Sequence, residues 1–577
     1  MPQILFVSKR PTPLKVVGMS ERPDTTPLAP FQESAAGRAQ GFFQEAIEAH
    51  GKGIEADAFQ LMERGWLVAP DFERYFPDFR ELCLVRKDVE SFQCACRRLA
   101  FSCFQKGDYE AAFHFCRESL NAYPNLRNSD EFSFDHEVLF LLREMARRWV
   151  QPRSTVGRTV NKVRVALLMY GWDSVGNVFS KIYHQFARFS DRSTFETFVV
   201  AFPNETLLME NPVARSAVDR FRSLGWRILY SRKMNAFERI IDVIGMLGKL
   251  EPDVILTTAL LADPAQFFLV NAFPQAAKIG LVHGPPPQFS APGLDWAISY
   301  SKHCAMDTPV NCSVVPLEFS FPEMVPVKTK LEFFRSFPKN GKVILCAGRS
   351  SKFQSDEFWR FLFDLLNRDP RVFLLVVGPR KNEIEPLRCL SNDERFSRVG
   401  FVPWTAKFQE ILTAADIVID TYPSGGGMVL MDAMASGIPC VSFRNNYHRR
   451  FNQMDWNPAE EIIPVSELVV PRGDFPAMGA VVTRLLADNE WYAKISAAVS
   501  HGIREKNGNP ARMVRRCEQI MLEVFRKKRQ GDPQFEPENQ TRKRGKSGFS
   551  PLIDRVIQIL YHLYYILRVF MARMKAS

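Results

Sequence analysis

A chain of 577 residues is too long for one ordinary hydrophobic core and predicts about two to four domains. Its 46% hydrophobic and 24% charged content excludes a disordered or fibrous protein and leaves room for large buried cores. The net charge of +11 does not describe the whole chain: Arg526 to Lys575 hold twelve Lys/Arg against four acidic residues, a balance of +8 that leaves +3 for the rest. That distribution argues against nucleic-acid binding and assigns the basic character to the tail.

Residues 1–40, rich in Pro, Ser and Thr and without periodicity, predict a disordered arm. The apolar run of MPQILFVSKR is too short for a signal peptide, and no stretch is long and uncharged enough for a confident membrane span. A cytoplasmic protein is expected. The eleven cysteines are odd in number and scattered; Cys94 and Cys96 have no second pair at zinc-site spacing and read as buried thiols in a reducing compartment. No metal is expected.

Residues 41–150 predict an α-helical domain. In Arg97–Pro124, Leu99, Ala100, Tyr109, Ala112, Cys116, Ser119 and Pro124 fall where a tetratricopeptide repeat places its packing residues, although an unrelated helical bundle also fits. A linker near Gln151–Thr159 follows. VRVALLMY, TFVVAF, DVILTT and KIGLV then alternate with helical patterns over residues 160–322, and KVILCAG, VFLLVVG, VGFVP, DIVID and PCVSF do so over 341–526. Strand alternating with helix predicts parallel sheets, here an α/β chain with two doubly wound, Rossmann-like domains facing each other. Both follow Thr159, so residues 1–155 are expected to be dispensable for nucleotide binding. Residues 527–550 read as a basic linker and 551–575 as an amphipathic helix. Its uncharged core, Val556–Leu567, gives only about 18 Å of helix against the roughly 30 Å of a bilayer core. It is expected to lie in an anionic membrane surface, or instead to dock on protein.

The chemistry concentrates at Asp420–Phe443, DTYPSGGGMVLMDAMASGIPCVSF. DIVID ends in a turn, and Gly425, Gly426 and Gly427 open the next helix, where amides without a neighbouring Cβ suit a phosphate. A tight turn that merely needs glycine is the plain alternative. GRSSKF places Arg349 and Lys352 after the first strand of the same half, where cations neutralise a diphosphate. Asp432, on the helix that the glycines open, is placed to accept from a ribose.

The order GRSSK, FVPW, DIVIDTYPSGGGMVLMDAMASGIPCV resembles the donor half of GT-B glycosyltransferases, over about Asn161–Lys527. It has features of family 4, although Ser424 stands where that family has its first acidic residue. It is also similar to family 41, the O-GlcNAc transferases and bacterial N-glycosyltransferases, through KIGLVHGPPPQFSAPGLDWAISY and KFQSDEFWRFLFDLL. The resemblance implies an acceptor domain at 160–322 and a donor domain at 341–526. The implied donor site comprises Arg349, Lys352, Pro403, Trp404, Ser424, Gly425, Gly426, Gly427, Met428 and Asp432. For a general base, His283 and Asp173 stand at strand ends of the first half. The implied activity is transfer of a hexosyl or N-acetylhexosaminyl group from a UDP- or GDP-sugar to a protein, polysaccharide or lipid-linked acceptor, with no cofactor. The other readings are a nucleotide-sugar epimerase of the same architecture and a catalytically inactive repeat-bearing scaffold.

Overall fold

The computed structural model describes residues 42–46, 48–49, 60–62, 64, 76–86, 88–122, 135–150, 162–169, 172, 178–258, 264–282, 293–306, 310–321, 330–334, 337–384, 386–387, 394–405, 407–445 and 458–531. The expected arm at 1–40, the expected helix at 551–575, Asp173 and His283 lie outside them.

The helical region divides between two compact units, one reaching Arg86 and the other Lys87–Ile559. Helix α1 (Phe76–Arg86) belongs to the first and buries Phe76, Phe79, Leu82 and Cys83. In the second, α2 (Val89–Lys106) and α3 (Tyr109–Leu120) form a hairpin. Asp88 and Asp108 cap the two helices through the amides of Ser91 and Ala111, and Gly107 ends α2 in the left-handed region. Leu99, Ala100, Ala112, Cys116 and Ser119 are buried in the hairpin, and small residues there let the helices approach. Cys96 is buried, whereas Cys94 is only half-buried.

Helix α4 (His136–Ala146) follows, and the group does not stand apart from the sheets. Phe113 and Trp149 pack on Phe237 and Phe268, which belong to helices α6 (Ala236–Leu250) and α7 (Pro264–Ala272) beside the first sheet. Aromatic pairs of this kind contribute beyond their large buried area. Removal of residues 1–155 would therefore uncover Phe237 and Phe268 on the first sheet domain.

Among the described residues the first sheet has seven strands: β1 (Val163–Met169), β2 (Phe195–Ala201), β3 (Arg227–Leu229), β4 (Val254–Thr257), β5 (Ala277–Val282), β6 (Trp296–Ser299) and β7 (Cys312–Val314). They lie in the order β3-β2-β1-β4-β5-β6-β7. The second sheet has six: β8 (Lys342–Ala347), β9 (Val372–Gly378), β10 (Val399–Pro403), β11 (Ile417–Ile419), β12 (Cys440–Phe443) and β13 (Val469–Val470), in the order β10-β9-β8-β11-β12-β13. Every strand pair is parallel. The central strands are buried along most of their length, as expected for sheets covered on both faces. The expected pair of doubly wound sheets is present. In each, strand order reverses beside the first strand: between β1 and β4, and between β8 and β11.

Among the described residues two stretches lead between the sheet domains. The first crossing is the stretch Val315–Phe321. The second is the corner Asn507–Asn509 between helices α13 (Asn489–Asn507) and α14 (Pro510–Arg529). The two are tied together. The Phe319 amide donates to the Asn507 carbonyl at 2.8 Å, and Asn507 Nδ2 to the Leu317 carbonyl at 2.7 Å. The fully buried Glu318 accepts from Arg512 Nε at 2.9 Å and Nη2 at 2.7 Å, and from the Asn509 amide at 3.1 Å. Helix α14 then packs on the first sheet domain rather than on 341–509. It runs through Arg529, so Lys527–Arg529, expected to open the basic linker, belong with Arg526 to its last turn. There the cations complement the helix C-terminus while Val524 and Phe525 stay buried.

Candidate functional site

In open parallel sheets ligands bind beyond the carboxyl ends of the strands where the order reverses. In the second sheet those ends carry two loops, Gly348–Phe353 after β8 and Asp420–Gly427 after β11. Both hold expected site residues.

The β11 loop is built around Asp420, which is 4% exposed. Its Oδ1 accepts from the Gly426 amide at 2.7 Å and the Thr421 amide at 2.9 Å, and its Oδ2 accepts from the Ser442 hydroxyl at 2.7 Å. Burial pushes its pKa up, and Ser442, Lys352 and the two amides oppose that rise. Thr421 Oγ1 donates to the Ser424 carbonyl at 2.7 Å, and Arg472 Nη2 to the Pro423 carbonyl at 2.8 Å. The turn is thereby fixed from both sides. Gly427 is the N-cap of helix α11 (Met428–Ala435), and no side chain caps it. The helix ends at Gly437, whose φ of 78° admits the left-handed stop made by the Ile438 amide on the Ala433 carbonyl.

Lys352 reaches this loop from 73 residues away. It lies in the short 3-10 turn Ser350–Phe353, held by the fully buried Phe353, whose carbonyl accepts from Trp359 Nε1 at 2.7 Å. Trp359 belongs to α9, defined as the helix Asp356–Arg368 (α8 being Lys302–Met306), which buries Phe358, Trp359, Leu362 and Leu366. From that anchor the Lys352 ammonium donates to the Gly425 carbonyl. The crossing is close: a Cβ on Gly348 would lie 3.1 Å from Lys352 Cδ and 3.4 Å from Thr421 Cγ2. Gly378, with φ 119°, closes the same end, where a Cβ would lie 2.0 Å from the Gly348 carbonyl oxygen.

The structure thus brings Lys352 together with Gly425, Gly426 and Gly427. The Gly426 amide is committed to Asp420, so Gly427 and the first turn of α11 are the part without a capping side chain. Met428 and Ser424 flank that opening and are half-buried, while Arg349 is exposed at the start of the 3-10 turn. Pro403 and Trp404 stand at the carboxyl end of the edge strand β10. The Trp404 amide donates to the Gly378 carbonyl at 2.9 Å, and its side chain leaves the residue 56% exposed.

Asp432 lies on α11 but faces the other sheet domain. Its Oδ2 is 3.7 Å from the ammonium of Lys181 on helix α5 (Val178–Phe189), which follows β1. Burial raises its pKa; Lys181 and a hydrogen bond from Gln409, on helix α10 (Phe408–Leu412), act against that rise.

Sequence reasoning missed Asp420, Ser442 and Lys181. For Asp420 the signal was a carboxylate closing an apolar strand immediately before a glycine loop. Lys181 carried no local signal, since it looks like any cation on an amphipathic helix. Among the described residues no group of three or more His, Cys, Asp or Glu side chains is placed to hold a metal.

Residues 341–488 match the sequence family described as Glycosyl transferases group 1. No curated protein matches the chain by sequence. Among solved structures it is similar to a mutant O-GlcNAc transferase from Thermobaculum terrenum, with 14% identity and a TM-score of 0.48, over 86% of this chain and 99% of that one. It is similar to a glycosyltransferase from Rickettsia africae at 14% identity and a TM-score of 0.48, over 63% and 99% of the two chains. It is also similar to HepE of Anabaena in complex with UDP and glucose, at 13% identity and a TM-score of 0.45, over 62% and 99%. The segment that carries the family similarity, 341–488, is the one that contains the Lys352 turn, the glycine loop and helix α11.

Proposed function

We propose that the protein is a glycosyltransferase that moves a sugar from a UDP- or GDP-sugar to an acceptor. The observation that carries this is the meeting of Lys352 with the glycine loop at the point where strand order reverses, beside a helix N-terminus without a capping side chain. A phosphate at such a terminus gains about 0.3–1 kcal/mol, and more when partly buried. The Glycosyl transferases group 1 similarity of the same segment supports the reading.

In this reading the bond between the sugar's anomeric carbon and the diphosphate breaks, and the diphosphate leaves with its electron pair. Lys352, Arg349 and the first amides of α11 stabilise the departing charge. Trp404 and Pro403 border the base, and Trp404 offers an exposed ring to stack on. Asp432 accepts from the ribose. The acceptor bonds to the anomeric carbon and loses its proton to a base, for which His283 and Asp173 are the candidates. No cofactor enters the scheme.

The acceptor is a protein, a polysaccharide or a lipid-linked glycan, and the donor is a hexose or N-acetylhexosamine nucleotide. For a membrane-proximal acceptor, residues 551–575 would hold the enzyme at the inner face of an anionic membrane. Among the described residues no helix is long and apolar enough to cross one. Incubation with labelled UDP- and GDP-sugars, read as release of UDP or GDP, tests the reading. A folded protein that binds these donors and releases neither nucleotide would instead be the inactive scaffold, for which Ser424 at the expected acidic position is the argument. Product carrying an altered free nucleotide sugar would mark an epimerase.

A further inference from the structure

The glycine loop is bracketed by two contacts from the first sheet domain. On one side is the Lys181–Asp432 pair, with Lys181 on the first turn of α5 and Asp432 one turn into α11. On the other is helix α12 (Ala459–Ile462). Its Glu461 accepts from the Ser301 hydroxyl at 2.5 Å and the Lys302 amide at 2.7 Å, at the start of α8 in the first sheet domain. Pro458 and Ile462, at either end of α12, each stand 3.7 Å from where a Cβ on Gly427 would be. The Glu461 brace fixes the approach of the two domains beside the loop, which holds Lys181 against the donor-binding wall.

We propose that Lys181 is a donor-site residue supplied by the first sheet domain: it pairs with Asp432 when no anion is bound and turns to the diphosphate when a nucleotide sugar enters. The inference rests on the donor-site reading above. A diphosphate at the N-terminus of α11 would sit about one helical turn, roughly 5.4 Å, from Asp432. Two negative groups so close in a largely water-excluded place repel, and burial already disfavours the charged form of Asp432. A mobile cation between them removes the conflict and frees the carboxylate oxygens for ribose hydroxyls. Lys352 is already engaged with the Gly425 carbonyl. Lys181 has a flexible stem, a side chain 39% exposed, and stands on the opposite wall. Lys181 is thus a binding residue whose position depends on the two domains being together.

The test is calorimetric titration of the full chain with UDP and with GDP. The proteins compared are wild type, Lys181→Met, Lys181→Arg, Asp432→Asn and the double variant Lys181→Met/Asp432→Asn. Lys181→Met is expected to weaken binding of the preferred diphosphate about tenfold or more, as loss of a charge-assisted hydrogen bond does. Lys181→Arg should restore most of it. The weakening should persist in the Asp432→Asn background, because the ammonium that Lys181→Met removes binds phosphate directly. Equal affinity of wild type and Lys181→Met overturns the proposal, as does tighter binding, which would make Lys181 a competitor for Asp432. A loss that vanishes in the Asp432→Asn background also overturns it, because Lys181 would then only position Asp432. If wild type binds neither UDP nor GDP, the donor-site reading itself falls. Lys181→Gln repeats the comparison if Met lowers the melting temperature.

Discussion

The two sheets share one strand order over six strands and differ, among the described residues, in what stands where that order reverses. Among the described residues at the end of β4 in the first sheet the hydrogen-bonding side chains are neutral. Thr257 Oγ1 donates to Gln266 at 2.6 Å, and Thr258 Oγ1 to the Leu168 carbonyl at 3.2 Å. The Tyr183 hydroxyl donates to that same carbonyl at 3.1 Å, and burial drives its pKa well up. At the end of β11, the corresponding strand of the second sheet, stand a buried carboxylate and an ammonium, Asp420 and Lys352, with a glycine loop folded over them. A Rossmann-like order supplies the place for a ligand, while the residues in the loops decide which ligand chemistry that place can serve. Hydroxyls sealed against carbonyls stabilise a strand end. A charged pair that braces an uncapped helix N-terminus suits it, in the proposed reading, to an anion.

The largest effect expected from breaking this contrast is on turnover. Lys352→Ala removes the cation of the charged end and should slow sugar transfer by about 10²–10³ in protein that remains folded. Wild-type release of UDP or GDP by that variant would mean the charged end does no chemistry. Gly426→Val comes next. Its Cβ would lie 3.5 Å from Asp420 Oδ1 and 3.7 Å from Val429 Cβ, ordinary contact distances, so the expected effect comes from the branched methyls beyond it, placed where the proposed phosphate approaches the backbone. Nucleotide affinity should fall at least about tenfold, or 1.4 kcal/mol, by calorimetry. Unchanged affinity in a folded variant would show that the loop only turns the chain.

Stability separates the two strand ends more gently. Asp420→Ala leaves the Thr421 and Gly426 amides and the Ser442 hydroxyl without their acceptor, and should cost about 1–3 kcal/mol per buried group left unsatisfied. Thr258→Val, which deletes one neutral hydrogen bond in the first sheet, should cost only about 0.5–1.5 kcal/mol in urea denaturation. Similar losses at both positions would erase the proposed difference. The smallest effect is on pH dependence. Asp420 and Asp432 both have pKa values raised in the fold, so between the ordinary carboxylate value and the raised one the native state holds more protons than the unfolded chain. Stability should therefore fall as pH rises through that window. Asp432→Asn should flatten part of this fall; a wild-type curve that rises there contradicts the assigned direction.

Much of this was legible in the residues. The apolar β-branched runs from VRVALLM to CVSF marked the central strands, because a strand buried on both faces has no polar side to obscure it. GRSSK and SGGG each marked a loop after a strand. Their meeting was not legible: no local pattern says that a lysine will cross 73 residues of sequence to reach a particular carbonyl. Helix α14 shows the same limit from the other side. Its residues fall almost wholly within the segment assigned to the second sheet domain, and nothing in them told that the first would accept its apolar face.

The sequence by itself therefore determined the alternation of strand and helix, the glycine opening of α11 and a cation-bearing loop after β8, since each follows from periodicity or from the residue types of a short neighbouring stretch. Only the tertiary structure decided that Asp420 would bury its charge to fold the glycine loop, that Lys181 would face Asp432 across the two domains, and that the helices of residues 89–149 would dock on Phe237 and Phe268. The physical reason is range. Propensity, capping and turn chemistry act within a few residues, whereas desolvation and pairing of charge depend on which distant surfaces exclude water together.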